Sequence, residues 1–287
     1  MPATATLEDI LLAQIEHHRT EVFYNLDPMR YGSKFIHRLP GSVKASIAWR
    51  AAPSPGADFS AYSLVVCNFP SIIKNYEERG WKSAYFSPAY DPVMDEYAMR
   101  DERTIDLLFV GGYTRHHRHR AAMLEQVASL RDQHSVVYCL DRSRMTRLAE
   151  SPFGYLFFLG EHRRPRSVQH VSHAPVFGRQ LYEMLGRARI VLNGAIDMAG
   201  EERGNMRCFE TLGCGALLLS DAGAYPKGMV DGQTMVTYDN LNQVTAKIQN
   251  LLADEPRRAE IAARGHTMIA SCFDKGSQWQ QFQQLVV

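Results

Sequence analysis

Eight short apolar runs set the narrowest limit on what this chain can fold into. They are Ser46–Trp49, Tyr62–Cys67, Ile105–Val110, Val136–Leu140, Tyr155–Leu159, Ile190–Leu192, Ala216–Leu219 and Met235–Tyr238. Most lack strict alternation, which is the pattern of strands covered on both faces of a parallel sheet. Helical period fills the spaces between them. Residues 118–131 place Ala122, Leu124, Val127, Ala128 and Leu130 mostly on one side. Leu241, Val244, Ile248, Leu251 and Leu252 form a second stripe, which Asp239 or Asn240 can cap. Strand and helix in alternation predict an α/β fold built from βαβ units. The charged segment 91–104 marks a boundary, after which IDLLFVGG opens a new strand. The remainder has the size of one Rossmann-like lobe, and the first hundred residues predict an abbreviated one.

Charge and cysteine content narrow the partners. With 32 basic and 31 acidic residues in 287, the net charge of +1 offers no argument for nucleic acid. The five cysteines are odd in number and irregular in spacing, as expected for free, mostly buried thiols in a reducing compartment. Cys208 and Cys214 do not form a CxxC, and no zinc site is expected. The opening MPATATLEDILLAQIEHHRTE reads as an amphipathic helix and not as a signal peptide. No apolar run is long enough to span a bilayer. A cytoplasmic protein with at most peripheral membrane contact is the expectation.

The stretch GEERGNMRCFETLGCGALLLSD, residues 200–221, carries the most chemistry. Gly204 breaks the chain before Asn205, a good N-cap for a helix over Met206–Leu212. The free N–H groups and dipole of a helix start form a natural pyrophosphate site. Arg207 in the first turn adds a charged fork for phosphate. Glu210, one turn further, can accept hydrogen bonds from vicinal ribose hydroxyls. Glu202 and Glu210 alone would read equally well as solvated helix charges. The Gly-Asn-x-Arg, Phe-Glu and Gly-Cys-Gly elements between and around them favour a site. A second cluster, FVGGYTRHHRHR at 109–120, puts Gly111 and Gly112 at a strand's carboxyl end, with Arg115 beyond, where open α/β sheets bind ligands. Adjacent histidines on a helix point in different directions, so this run predicts no metal site. A third segment, 160–182, reads as a long binding loop containing His173, Pro175, Val176 and Phe177.

These residues resemble the C-terminal lobe of GT-B glycosyltransferases, in particular a bacterial group with an Asn-Met-Arg-x-Phe-Glu signature. Residues 176–197 resemble the segment before that signature, and 228–265 resemble the family's ending. The likeness covers about 105–270. It implies two Rossmann-like lobes: an acceptor-side lobe over 1–100, a nucleotide-sugar lobe over 101–275, and a last helix over 276–287 returning to the first lobe. By the same resemblance Glu202 faces the donor sugar or its phosphates, Glu210 the ribose, the Gly111–Arg115 loop the phosphates, and residues 173–177 the base. The donor would be a nucleoside-diphosphate sugar and the acceptor a glycan or other glycoconjugate, with no further cofactor. No Asp-x-Asp motif is present, so arginines and a helix start would neutralise the leaving diphosphate in a metal-independent transfer. Thinner candidates in the first lobe are Asp27, His37, Trp49, Arg50 and Asn68. Two rivals stay open: a nucleotide-sugar epimerase on the same fold, and a non-catalytic nucleotide-sugar-binding module. A redox Rossmann protein is disfavoured because no GxGxxG follows an early strand.

Overall fold

The computed structural model describes residues 6–100, 102–114, 117–156, 159–194 and 200–286. The chain divides into two compact units. One comprises Met1–Pro88, Met198–Glu202 and Lys275–Val287, the other Ala89–Asp197 and Arg203–Asp274. The charged segment 91–104 belongs to the second unit, where Met94 and Tyr97 enter the core.

The first unit holds a four-stranded parallel sheet in the order β1-β2-β3-β4, with β1 Val22–Asn25, β2 Ala45–Trp49, β3 Leu64–Cys67 and β4 Ser83–Tyr85. Its core gathers Phe35, Ala48, Phe59, Val65, Tyr76 and Trp81. The helix Leu7–His17 begins at a capping box in which Thr6 and Asp9 satisfy each other's backbone N–H. The last helix, Lys275–Val286, clusters with this unit; its Phe282 ring meets Tyr24 and Phe86, and Gln278 accepts from Ser87 Oγ at 3.1 Å.

The second unit is built on six parallel strands: β5 Ile105–Gly112, β6 Val136–Asp141, β7 Ser172–His173, β8 Ala188–Leu192, β9 Leu217–Asp221 and β10 Val236–Tyr238. Their order is β10-β9-β8-β5-β6-β7. The chain winds outward through β6 and β7, returns to the other side of β5 at β8, and winds outward again. This is the Rossmann strand order, with its reversal between β5 and β8. The absence of alternation in the runs now has its cause. Leu107, Phe109, Ile190, Leu192, Leu217 and Leu219 pack on one face of the sheet, whereas Leu108, Val110, Val191 and Leu218 pack on the other. Successive side chains point to opposite faces, and both faces are covered.

Seven of the eight apolar runs contain a strand. The exception is Tyr155–Leu159: Pro152–Leu156 is helical and Leu159–His162 is a 3-10 turn. Proline is preorganised for the first helical position, and a short apolar run carries no period of its own to oppose it. Nor is 160–182 one long loop, since the helix Arg166–His170, β7 and the start of the helix Arg179–Arg187 all fall within it. Four cysteines are buried and Cys272 is exposed, all of them free. Among the described residues no helix is long and apolar enough to cross a membrane.

Candidate functional site

In a parallel sheet of this order, ligands bind beyond the carboxyl ends of the strands at the point where the order reverses. The residues found there in the second unit are Gly111 and Gly112 ending β5, Asn193 following β8, and Ser220 and Asp221 ending β9. A side-chain carbon on Gly112 would meet nothing within 4 Å, so the backbone there is open to a close approach. Arg115 lies outside the described residues.

The helix Met206–Gly213 starts at this edge, with Asn205 in the N-cap position. It is held by its buried face, where Cys208, Phe209 and Leu212 enter the core. Gly204 precedes the cap at φ +113°, a conformation that side-chain-bearing residues rarely adopt. The Asn205 side chain does not cap the helix. Its Nδ2 donates to Asn193 Oδ1 at 3.1 Å, and Asn193 Nδ2 in turn donates to Ser220 Oγ at 3.1 Å. The Asn205 Oδ1, the atom that would accept from a helix N–H in a cap, accepts from Cys208 Sγ at 3.5 Å. The loop is pinned a second time by Arg203, whose Nε donates to Asp221 Oδ2 at 2.7 Å and whose backbone N–H donates to Ala224 O at 2.8 Å. Asn193 and Arg203 escape sequence reading, although each sits beside a feature that could flag it: a strand's carboxyl end and a Gly-Asn helix start.

Arg207 and Glu210 form an ion pair at 2.8 Å along the helix, with side chains 18% and 14% exposed. Arg207 Nε is buried and has no hydrogen-bond partner, so part of the guanidinium's donor capacity is unspent. Burial raises the Glu210 carboxyl above its usual range, and the Arg207 charge only partly counters this. Burial first, and the Glu210 charge second, also raise the Tyr182 hydroxyl. Met206 is half exposed, at 51%.

Of the other predicted positions, His173 ends β7 and lines a cavity of about 630 Å³ with Asp141, Arg142, Gln169 and Pro175. Val176 packs against the core and Phe177 is exposed. Glu202 clusters with the first unit. Its carboxylate accepts from Ser71 N–H at 2.9 Å and from Ser71 Oγ at 2.7 Å, holding the first turn of the helix Pro70–Glu78. In the first unit Asp27, Arg50 and Asn68 lie just past the carboxyl ends of β1, β2 and β3, and Trp49 closes β2. Exposed His37 follows the helix Ser33–Ile36. Among the described residues no three His, Cys, Asp or Glu side chains are grouped to hold a metal ion.

The Glu210 shift has a consequence for stability. Its folded-state carboxyl holds its proton more tightly than the unfolded one, so the folded form binds more protons at pH values just above the normal carboxylate range. Stability from this group is therefore lost as pH rises through that window, and Glu210→Gln should flatten the loss. Urea unfolding of both proteins in a pH series from the ordinary carboxylate range up to neutrality measures it. Parallel pH profiles for the two would sink the assignment.

Comparison with known proteins fits this geometry. The sequence profile of the family described as "Glycosyl transferase-like" matches residues 115–284, more than half of the chain. No curated protein matches the sequence. Among solved structures, a glycosyltransferase from Rickettsia africae ESF-5 superposes with a TM-score of 0.59 at 9% identity, covering 97% of this chain and 79% of that one. HepE of Anabaena, solved with UDP and glucose, gives 0.65 at 12% identity, covering 98% and 82%. An α-glucosyltransferase solved with UDP and a 13-mer DNA gives 0.66 at 10% identity, covering 98% and 83%. At such identities the likeness speaks for the fold, which is that of the GT-B glycosyltransferases. The profile speaks for the family: this chain belongs to the glycosyl transferase-like proteins.

Proposed function

We propose that this protein transfers a sugar from a nucleoside-diphosphate sugar to a glycan or other glycoconjugate, without a metal ion. One observation carries the reading. At the reversal point of the six-stranded sheet, a helix start fixed by Asn193, Asn205, Arg203 and Asp221 stands with a half-buried arginine whose buried Nε has no partner. A diphosphate matches that arrangement, because backbone N–H groups, the helix dipole and a guanidinium fork all complement spread negative charge. Preorganised donors of this kind stabilise charge as it develops on a leaving diphosphate, which is the demand a metal ion otherwise meets. Arg207 is assigned to the phosphates and Glu210 to the ribose hydroxyls, the latter as a charged acceptor. Gly112 leaves room for the phosphates over β5, and His173 with Val176 borders the base. The acceptor is assigned to the first unit.

UDP is the first nucleotide to try, since two of the structural relatives were solved with it. At a hundred times its dissociation constant, a bound nucleotide adds about 2.7 kcal/mol to stability. Thermal unfolding with UDP, GDP, dTDP, CDP and ADP, in the presence of a chelator, should show a clear shift with one of them, reduced in Glu210→Gln. A well-folded sample that no nucleotide shifts would remove the donor site. Release of free sugar or an isomerised donor, with no acceptor present, would replace transfer by the epimerase chemistry.

A further inference from the structure

The crossover from β6 to β7 lies beside the cavity that His173 borders, and its Arg142 and Arg147 line that cavity too. Two short helices, Arg144–Ala149 and Pro152–Leu156, follow each other as a hairpin. Gly154 permits the tight packing, because a side-chain carbon there would lie 2.4 Å from the Leu148 carbonyl oxygen and 2.5 Å from that of Ala149. Met145, Leu148 and Phe153 project from the hairpin with 42%, 45% and 64% exposure. Met145 and Leu148 are three apart on one helix and so share a face.

The charges around these apolar groups are mostly basic. Arg144 and Arg147 are exposed, with Arg142 just before them. Two acids lie at 141–156: exposed Asp141, which shares a cavity with Arg142 and Arg147, and Glu150, whose side chain is 5% exposed and turned inward onto Arg164 at 2.5 Å and Arg142 at 2.7 Å. Arg163 reaches back to the Ala149 carbonyl at 2.8 Å, bringing the basic stretch 163–166 to the hairpin's end. By contrast, Leu7 and Ile10 flank Glu8 and Asp9, and Leu26 and Met29 flank Asp27. A surface that is both greasy and anionic complements bulky apolar side chains flanked by exposed Arg144 and Arg147.

We propose that the 142–156 hairpin docks the protein on an anionic lipid surface, with Met145, Leu148 and Phe153 entering the headgroup boundary and Arg144 and Arg147 meeting the lipid phosphates. This does not rest on the donor-site reading, and its test reads no turnover. The full chain is sedimented with vesicles of phosphatidylglycerol and phosphatidylcholine, and with phosphatidylcholine alone. Binding is expected to the first and not the second, and to weaken with salt. Arg144→Glu with Arg147→Glu should lower the partition coefficient about tenfold or more, as loss of two basic contacts implies. Met145→Ser with Phe153→Ser should lower it as well, with thermal unfolding unchanged because the replaced groups are exposed. Absence of binding to anionic vesicles overturns the proposal, as does wild-type binding by both double variants. A dimer in light scattering that the same variants dissolve, without lipid binding, would assign the face to a second copy.

Discussion

Arg207→Ala should lower the rate of sugar transfer by about two to three orders of magnitude, the usual effect of deleting one preorganised donor at a site of developing negative charge. Arg207 is in the first turn of a helix at the reversal point of the sheet, and its Nε is buried without a partner. Its other known bond, to Glu210 at 2.8 Å, leaves the fork only partly used. Arg207→Lys keeps the charge and loses the fork, so it should recover part of the rate and not all of it. Stability should change little by comparison, because Glu210, already raised by burial, can take up a proton once its cation is gone. Steady-state kinetics with the nucleotide sugar identified by thermal shift will decide. A rate within threefold of wild type (roughly 0.7 kcal/mol, too little for a lost donor at the reacting phosphates) would remove Arg207 from the diphosphate.

How far the sequence could be read depended on where each contact's partner lies. The central strands were legible because burial on both faces leaves an uninterrupted apolar run, as in Leu107–Val110 and Leu217–Leu219. The missed strands β1, β4 and β7 are short edges. Val22 and Phe23 are half-buried, Ser83 and Ala84 likewise, and Ser172–His173 pairs over two residues only. Such strands are specified by neighbours and hold no apolar run of their own. The helix start at Asn205 was visible because caps are local chemistry. The direction of the Asn205 side chain was not, since Asn193 competes for it from across a loop. Glu202 shows the same limit: spacing pairs it with Glu210, whereas its carboxylate is bonded to Ser71, far away in the chain.

Phe209→Ala is expected to cost about 3–5 kcal/mol, the range for truncating a fully buried phenylalanine. Phe209 is 1% exposed and meets Phe273 edge-to-face at 5.1 Å, so its removal leaves a void and an unpartnered ring. That is a large part of the stability of an ordinary domain. In urea the midpoint should fall with an unchanged slope, the mark of lost stability without a change in compactness. The contrast with Arg207→Ala separates the two faces of one helix. Phe209 anchors the buried side among the apolar residues of the core. Folded Phe209→Ala should therefore keep most of its nucleotide-induced stabilisation while starting from a lower melting point. Arg207→Ala should keep its melting point and lose the stabilisation. If Phe209→Ala instead loses the nucleotide shift at temperatures where it is fully folded, the helix start is not held by the sheet edge alone. Asn205, Asn193 and Arg203 would then owe their positions to the packing beneath them.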